Sequence, residues 1–245
     1  MEETSLRIDV LGVGVDSLTG GEAVARAAEL AAGDKFTYAV TPNPEFILLA
    51  KKSEVFRTAL NGADLVVADG IGVVKAAQIL GRPLKAKVPG IDLAEGLCGM
   101  LANSGGKLFL LGAKPGVAQT AGENLARKYP GLTICGVYDG YFKEDALVVE
   151  AIRASGADVV FVCLGAPKQE LWMVEHGPKT GVKLMLGLGG SLDVFAGTVE
   201  RAPQGWQRLG LEWLYRLLKE PKRIGRMAKL PLVLVDAAAA RVRGK

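Results

Sequence analysis

Seven short apolar runs recur along the chain, and glycine, proline or aspartate gathers where they end. They cover 7–10, 36–41, 65–68, 107–111, 133–137, 159–164 and 183–188. Most are continuous rather than alternating, as a strand covered by helices on both faces requires. Helical patterns fill the intervals at 19–32, 53–60, 71–80, 90–103, 115–128, 145–154 and 167–176. The first of these opens on a capping threonine, and Pro115 and Pro167 fall where a first helical turn tolerates proline. Strand alternating with helix predicts an α/β fold, a Rossmann-like and mostly parallel sheet flanked by helices. Ligands of such sheets sit at the carboxyl ends of the strands, so the residues just after each run are the ones to read for chemistry.

After about residue 195 the pattern changes. No further strand is predicted; 203–220 reads as a Trp- and Leu-rich helix, Pro221 interrupts it, and a second stretch runs over 222–243. The chain therefore divides into a core, 1–195, and a mostly helical C-terminal appendage, 196–245. Residues 201–245 hold 11 Lys/Arg against 3 Asp/Glu, a net +8, so the first 200 residues carry −4 of the +4 total. A basic segment on an acidic body predicts an anionic partner for that segment. The chain opens on the acidic Met1-Glu2-Glu3, unlike a secretory leader, and the apolar run 230–240 contains Pro231 and Asp236. That run is also short of the ~20 residues needed to cross a bilayer. Cys98, Cys135 and Cys163 lie apart in apolar segments and read as reduced, buried thiols of a cytoplasmic protein. The single histidine, His176, has no partner in sequence and reads as a surface or helix-end residue.

Asp69 emerges from one apolar run and is followed by Gly70 and Gly72. A carboxylate at a strand exit, between low-dielectric walls, is placed to serve as a base; capping the helix that starts at Ile71 explains it equally well. Thr41 and Asn43 flank Pro42, with Pro44 beyond, and the prolines fix the direction of both polar side chains; turn formation and capping are the plainer alternative. Gln169, between Lys168 and Glu170, can hydrogen-bond a sugar or a base edge, or stand in a solvated first helical turn. The 112–116 loop offers helix-start N–H groups to a diphosphate, or is a plain glycine turn. Arg216, Arg223 and Arg226, opposite Leu214, Leu217 and Leu218, form a basic amphipathic element suited to an anionic membrane surface; a solvated basic face is the bland reading. No carboxylates collect at metal-ligand spacing, so a diphosphate leaving group here needs protein cations.

Joined together, TPNPE at 41–45, ADGIGVV at 68–74, VPGIDL at 88–93, LLGAKPG at 110–116, GAPKQELW at 165–172, GLGGSLD at 187–193 and the segment 201–223 resemble the WecG/TagA/CpsF family of glycosyltransferases. The matches run nearly end to end in the family's order. The resemblance implies inverting transfer, with neither metal nor other cofactor, from a UDP-sugar to undecaprenyl-diphosphate-linked GlcNAc. The branch most resembled transfers N-acetylmannosamine and makes the ManNAc-β-1,4-GlcNAc linkage unit of wall teichoic acid.

For the site, the family's pattern implies Asp69 as general base with Thr41 beside it. It implies Asn43, Gln169 and Asp193 around the donor, and Arg216, Arg223 and Arg226 at the diphosphate. Tyr141, in the loop after 133–137, joins the substrate-binding candidates. Lys87 does too, standing where the family usually has Arg; it keeps the charge without bidentate geometry. The resemblance also implies a peripheral enzyme at the inner face of the membrane, with no nucleic-acid partner, and leaves self-association open. Removing everything after about residue 200 is expected to abolish transfer and leave a folded, UDP-binding core.

Two kinds of alternative stay open. UDP-ManNAc-uronate or UDP-glucose can replace the donor within the family. Outside it, a nicotinamide-dependent oxidoreductase fits the sheet but lacks GxGxxG in the first strand–turn–helix unit. A nucleic-acid binder fits the basic tail but not its Trp/Leu content.

Overall fold

Residues 7–219 and 230–244 are described by the structure, a computed structural model. The opening strand, Arg7–Val10 (β1), does not join the parallel sheet. It turns through Leu11 and Gly12, with φ of 57° and 92°, into Val13–Asp16 (β2), a strand absent from the sequence reading. A two-residue link joins antiparallel strands, whereas parallel ones need a long crossover, and β1 and β2 pair from Arg7↔Asp16 to Val10↔Val13. The buried Asp16 carboxylate takes the Arg7 guanidinium at 3.1 Å and the Val66 N–H at 2.7 Å, which fastens the hairpin to the main sheet.

Gly20–Ala31 (α1) starts on a reciprocal cap. The Thr19 hydroxyl accepts the Glu22 N–H, and the Glu22 carboxylate accepts the Thr19 N–H. Thr37–Val40 (β3) leads to Pro44–Lys52 (α2) and Glu54–Asn61 (α3); Leu65–Val66 (β4) leads to Ile71–Ile79 (α4) and Gly90–Ser104 (α5). Lys107–Gly112 (β5), Val117–Lys128 (α6), Thr133–Tyr138 (β6), Asp145–Ser155 (α7), Val159–Cys163 (β7), Lys168–His176 (α8), Leu184–Gly187 (β8) and Ser191–Phe195 (α9) follow. Helix α2 falls where the sequence reads only a rigid loop. Pro44 occupies its first position, where a missing N–H is harmless, and Asn43 caps it.

Strands β3 to β8 form one sheet in the order β4–β3–β8–β7–β5–β6, with all neighbours parallel. Successive residues of each run point to opposite faces. Leu108, Leu110, Phe161 and Leu186 enter the layer beneath α1, α5 and α6; Phe109, Leu111, Val160 and Met185 enter the layer beneath α2, α3 and α4. Both faces are therefore buried, which is why the runs are continuous. β5 ends on Gly112, at φ 127°, where a Cβ would overlap the Cys163 carbonyl of β7. Gly112→Ala is expected to cost about 3 kcal/mol through backbone strain and overpacking, seen as a lower midpoint in urea unfolding.

The helix read over 203–220 is two helices, Gln204–Arg208 (α10) and Glu212–Lys219 (α11), parted at Gly210 with φ 70°. Leu230–Val242 (α12) turns back onto α4 and α2. Its Val233 and Ala237 are fully buried in the same layer as Val73, Ala76 and Ala77. Lys51 meets Asp236 at 2.7 Å, and Arg241 donates to the Leu80 carbonyl at 3.0 Å, closing the end of α4. The expected appendage 196–245 thus shares the core through its last helix. Pro221, the expected breakpoint, lies outside the described residues.

Cys98 and Cys163 are buried and Cys135 is half-buried; all three are free. Burial pushes the Cys98 and Cys163 thiols up to about 12. His176 ends α8 and packs on Trp172, with ring centroids 5.3 Å apart. Among the described residues no helix is long and apolar enough to cross a membrane.

Candidate active site

The exits of β3, β4 and β8 open into one pocket, walled by Asn43, Asp69, Gly70, Lys87, Gly190 and Ser191, with Glu212 and Trp213 reaching over it from α11. Backbone bonds fix the exit of β4. Asp69 N–H donates to the Pro42 carbonyl at 2.9 Å, and Val88 N–H donates to the Ala68 carbonyl at 2.8 Å. The first residue of α5, Gly90, then comes close enough to donate its N–H to Asp69 Oδ2 at 3.4 Å. A Cβ on Gly90 would lie 3.0 Å from Thr41 Oγ1 and 3.3 Å from Leu188 Cδ2, so glycine is what allows the approach.

The N-cap of α4 is Gly70, with φ 98°, and the residue before it is Asp69. Its half-buried carboxylate faces the pocket, beside a helix start whose dipole suits an anion. Asn43 does both things the sequence allows. Its Oδ1 accepts the Glu45 and Phe46 N–H groups at 2.8 and 3.2 Å, and the residue also lines the pocket. Thr41 is buried, and its hydroxyl donates to the Gly187 carbonyl at 3.2 Å, tying β3 to β8 behind the pocket wall.

Lys87 stands in the pocket with its ammonium 3.0 Å from Glu212 Oε2 and 2.9 Å from the Gln207 carbonyl. Glu212 also draws Arg201, whose Nε lies 3.7 Å from Oε1, and Arg201 Nη2 makes a close ion pair with Asp92 at 2.6 Å, without hydrogen-bond alignment. These four side chains pin α10 and α11 to the start of α5. Sequence reading missed Glu212 and Trp213 as pocket residues; the available signal was that Glu212 is one of three acidic residues in a strongly basic segment.

Other expected residues lie elsewhere. Asp193, in α9, sits behind Gly190, and its Oδ1 is 3.5 Å from Thr198 Oγ1. Tyr141 is 66% exposed beyond β6, away from this pocket. Gln169 is 1% exposed and lines no part of the pocket; its amide bonds inward. Arg216 belongs to α11, but its side chain, together with Arg223 and Arg226, lies outside the described residues. The 112–116 loop runs beside the exit of β7, where Ala113 N–H donates to the Cys163 carbonyl at 3.2 Å. There the chain reverses direction across the sheet, since β5 leads outward to β6 and β7 leads inward to β8. Such a reversal is where nucleotides bind in doubly wound sheets. Among the described residues no group of three or more His, Cys, Asp or Glu is placed to hold a metal ion.

Glu170 is fully buried, and its Oε2 makes no hydrogen bond. Burial pushes its carboxyl up to about 7, against the opposing hydrogen bond from Gln169. The unfolded chain gives up this proton near the ordinary carboxylate pKa of about 4.3 while the fold retains it. The stability that neutral Glu170 allows is thus complete below that value and is lost as pH rises to about 7. The loss is on the order of 3 kcal/mol. Glu170→Gln is expected to remove this dependence, matching wild type near pH 4 and exceeding it at pH 8 in urea unfolding; parallel pH profiles would contradict the assignment.

The sequence model of the glycosyl transferase WecG/TagA/CpsF family matches residues 8–245. Relatives named N-acetylglucosaminyldiphosphoundecaprenol N-acetyl-beta-D-mannosaminyltransferase, from Staphylococcus aureus strains MRSA252, MW2 and NCTC 8325, are each 37% identical over 238 residues. Each alignment covers 96% of this chain and 93% of the relative.

Proposed function

The chain belongs to the WecG/TagA/CpsF family of glycosyltransferases, and from that membership we propose that it moves N-acetylmannosamine from UDP-ManNAc to GlcNAc carried on undecaprenyl diphosphate. The product in this reading is the β-1,4-linked disaccharide that begins wall teichoic acid. The acceptor hydroxyl attacks the anomeric carbon in line. The new C–O bond forms as the bond to the β-phosphate oxygen breaks, UDP leaves with the electron pair, and Asp69 takes the hydroxyl proton.

The observation that carries the reading is the meeting of Asp69 and Lys87 in one pocket at the strand exits. One supplies a base; the other, here paired with Glu212, supplies a cation for the departing diphosphate when it exchanges that partner. Asn43 and the Gly190–Ser191 turn flank the reacting sugar. The nucleotide extends toward the reversal between β5 and β7, near Asp193. Arg216, Arg223 and Arg226 add positive charge at the diphosphate, so that protein cations do the work a metal does elsewhere.

The acceptor is lipid-borne, so the enzyme works as a peripheral protein on the inner face of the membrane. The exposed Leu209 and Leu218, with Leu232 and Val235 on α12, are side chains suited to that contact.

The test is an assay of purified protein with UDP-ManNAc and a lipid-diphosphate-GlcNAc analogue. UDP release together with a ManNAc–GlcNAc product is expected. Turnover only with UDP-ManNAc-uronate or UDP-glucose would replace the donor, and no transfer from any of the three would overturn the reading.

A further inference from the structure

One side-chain amide joins the exits of two neighbouring strands, β7 and β8, the second of which opens into the pocket. Gln169 Oε1 accepts the Gly165 N–H at 3.1 Å, from the exit of β7, and the Gly189 N–H at 3.0 Å, from the exit of β8. Both glycines have left-handed backbones, φ 77° and 55°, and nothing lies within 4 Å of an added Cβ at either. Their conformation, not a lack of space, is what calls for glycine here.

An amide has two ends, and either can face a given direction. The end that faces the loops is set next door. Gln169 Nε2 donates to Glu170 Oε1 at 2.6 Å, in a pocket free of water-exposed surface, since the two residues are 1% and 0% exposed. Reversing the amide would turn its NH2 toward two N–H donors and lose both loop bonds. β8 leaves room for this pair. A Cβ on Gly187 would lie 3.0 Å from Gln169 Nε2 and 3.4 Å from Glu170 Oε1.

We propose that Glu170 and Gln169 are a buried positioning pair, in which Glu170 orients the Gln169 amide so that its oxygen clamps the exits of β7 and β8 in register with the active site. Gly189 is followed directly by Gly190 and Ser191, which wall the pocket beside Asp69. Glu170 touches no pocket surface, so its effect on transfer passes through Gln169 and the two loops. This inference rests on the proposed transfer reaction for its catalytic consequence, while the clamp itself is a property of the ligand-free protein.

Two readouts separate those layers. Hydrogen exchange at the Gly165 and Gly189 amides is measured on the ligand-free full chain for wild type, Glu170→Leu, Glu170→Gln and Gln169→Leu. Protection at both amides is expected to fall in Glu170→Leu and Gln169→Leu and to return in Glu170→Gln, which keeps an acceptor oxygen for Nε2. Transfer kinetics on the same proteins should show kcat lowered by about 10- to 100-fold in Glu170→Leu, the scale of a misplaced but unbroken site. Donor KM should move far less, and Glu170→Gln should recover most of kcat. The double variant should be no worse than Gln169→Leu alone, because the two residues act as one unit.

Unchanged protection in Glu170→Leu overturns the clamp. Lost protection with normal kcat overturns its positioning role. A wild-type protein that transfers no ManNAc defeats the proposed reaction instead, and the exchange result still decides the clamp.

Discussion

Asp69→Asn is expected to lower turnover by about 100-fold or more, the usual scale for a lost general base, with UDP affinity essentially unchanged. The exchange is isosteric, and the loop that carries it is held by backbone bonds to Pro42 and by the neighbouring Ala68–Val88 bond. An amide can still accept the Gly90 N–H that now meets Oδ2. What the amide cannot do is take a proton from an incoming hydroxyl at neutral pH. Initial rates of UDP release with saturating acceptor, and calorimetric titration with UDP, check the two halves of the expectation. Near-normal turnover would remove Asp69 from its role. A parallel loss of UDP affinity would recast it as a binding residue.

Ending the chain at Lys219 is expected to abolish transfer and to lower the melting temperature as well. The deleted stretch carries Arg223 and Arg226, and with them much of the cationic charge proposed for the departing UDP. It also carries α12, whose Val233 and Ala237 are fully buried against α4 and α2. Uncovering that face costs about 2–4 kcal/mol, which for a chain of this size is roughly 5–15 °C. The sequence alone suggested that removing everything after about residue 200 leaves a folded, UDP-binding core. The packing of α12 revises that view, and a thermal melt beside the transfer assay tests both losses. Full-rate transfer by the shortened chain would defeat the role given to the tail, and an unchanged melt would show that α12 contributes nothing to the core.

The parallel sheet was legible because burial on both faces imposes a pattern that short runs of Val, Leu and Ile can carry. That Asp69 lines the pocket was legible from its place after such a run and before a pair of glycines. The hairpin was less so: Val13–Asp16 is only four residues long, and it begins two residues after a strand that already looked complete. Helix α2 hid behind Pro42 and Pro44, since a proline at a helix start and a proline in a loop look alike until capping is seen. Gln169 illustrates a deeper limit. A polar residue at a strand exit reads as a ligand contact, and nothing in its neighbours says that its amide turns inward to the backbone of two other loops. Glu212 illustrates the converse. Its partner in the pocket, Lys87, stands 125 residues earlier in the chain, and no local pattern foretells the meeting.

The place of β8 in the sheet has a consequence for how the molecule is made. It is last of the strands in sequence yet lies between β3 and β7, joining the β3–β4 pair to the β5–β6–β7 group. Until residues 184–187 leave the ribosome, these two groups are separate ribbons, each with an unpaired and apolar border. The wall that carries Asp69 cannot meet the wall that carries Gly190 before then. Nascent chains stalled short of this point should therefore depend on chaperones and be prone to aggregate, and the active centre is among the last parts of the protein to come into being.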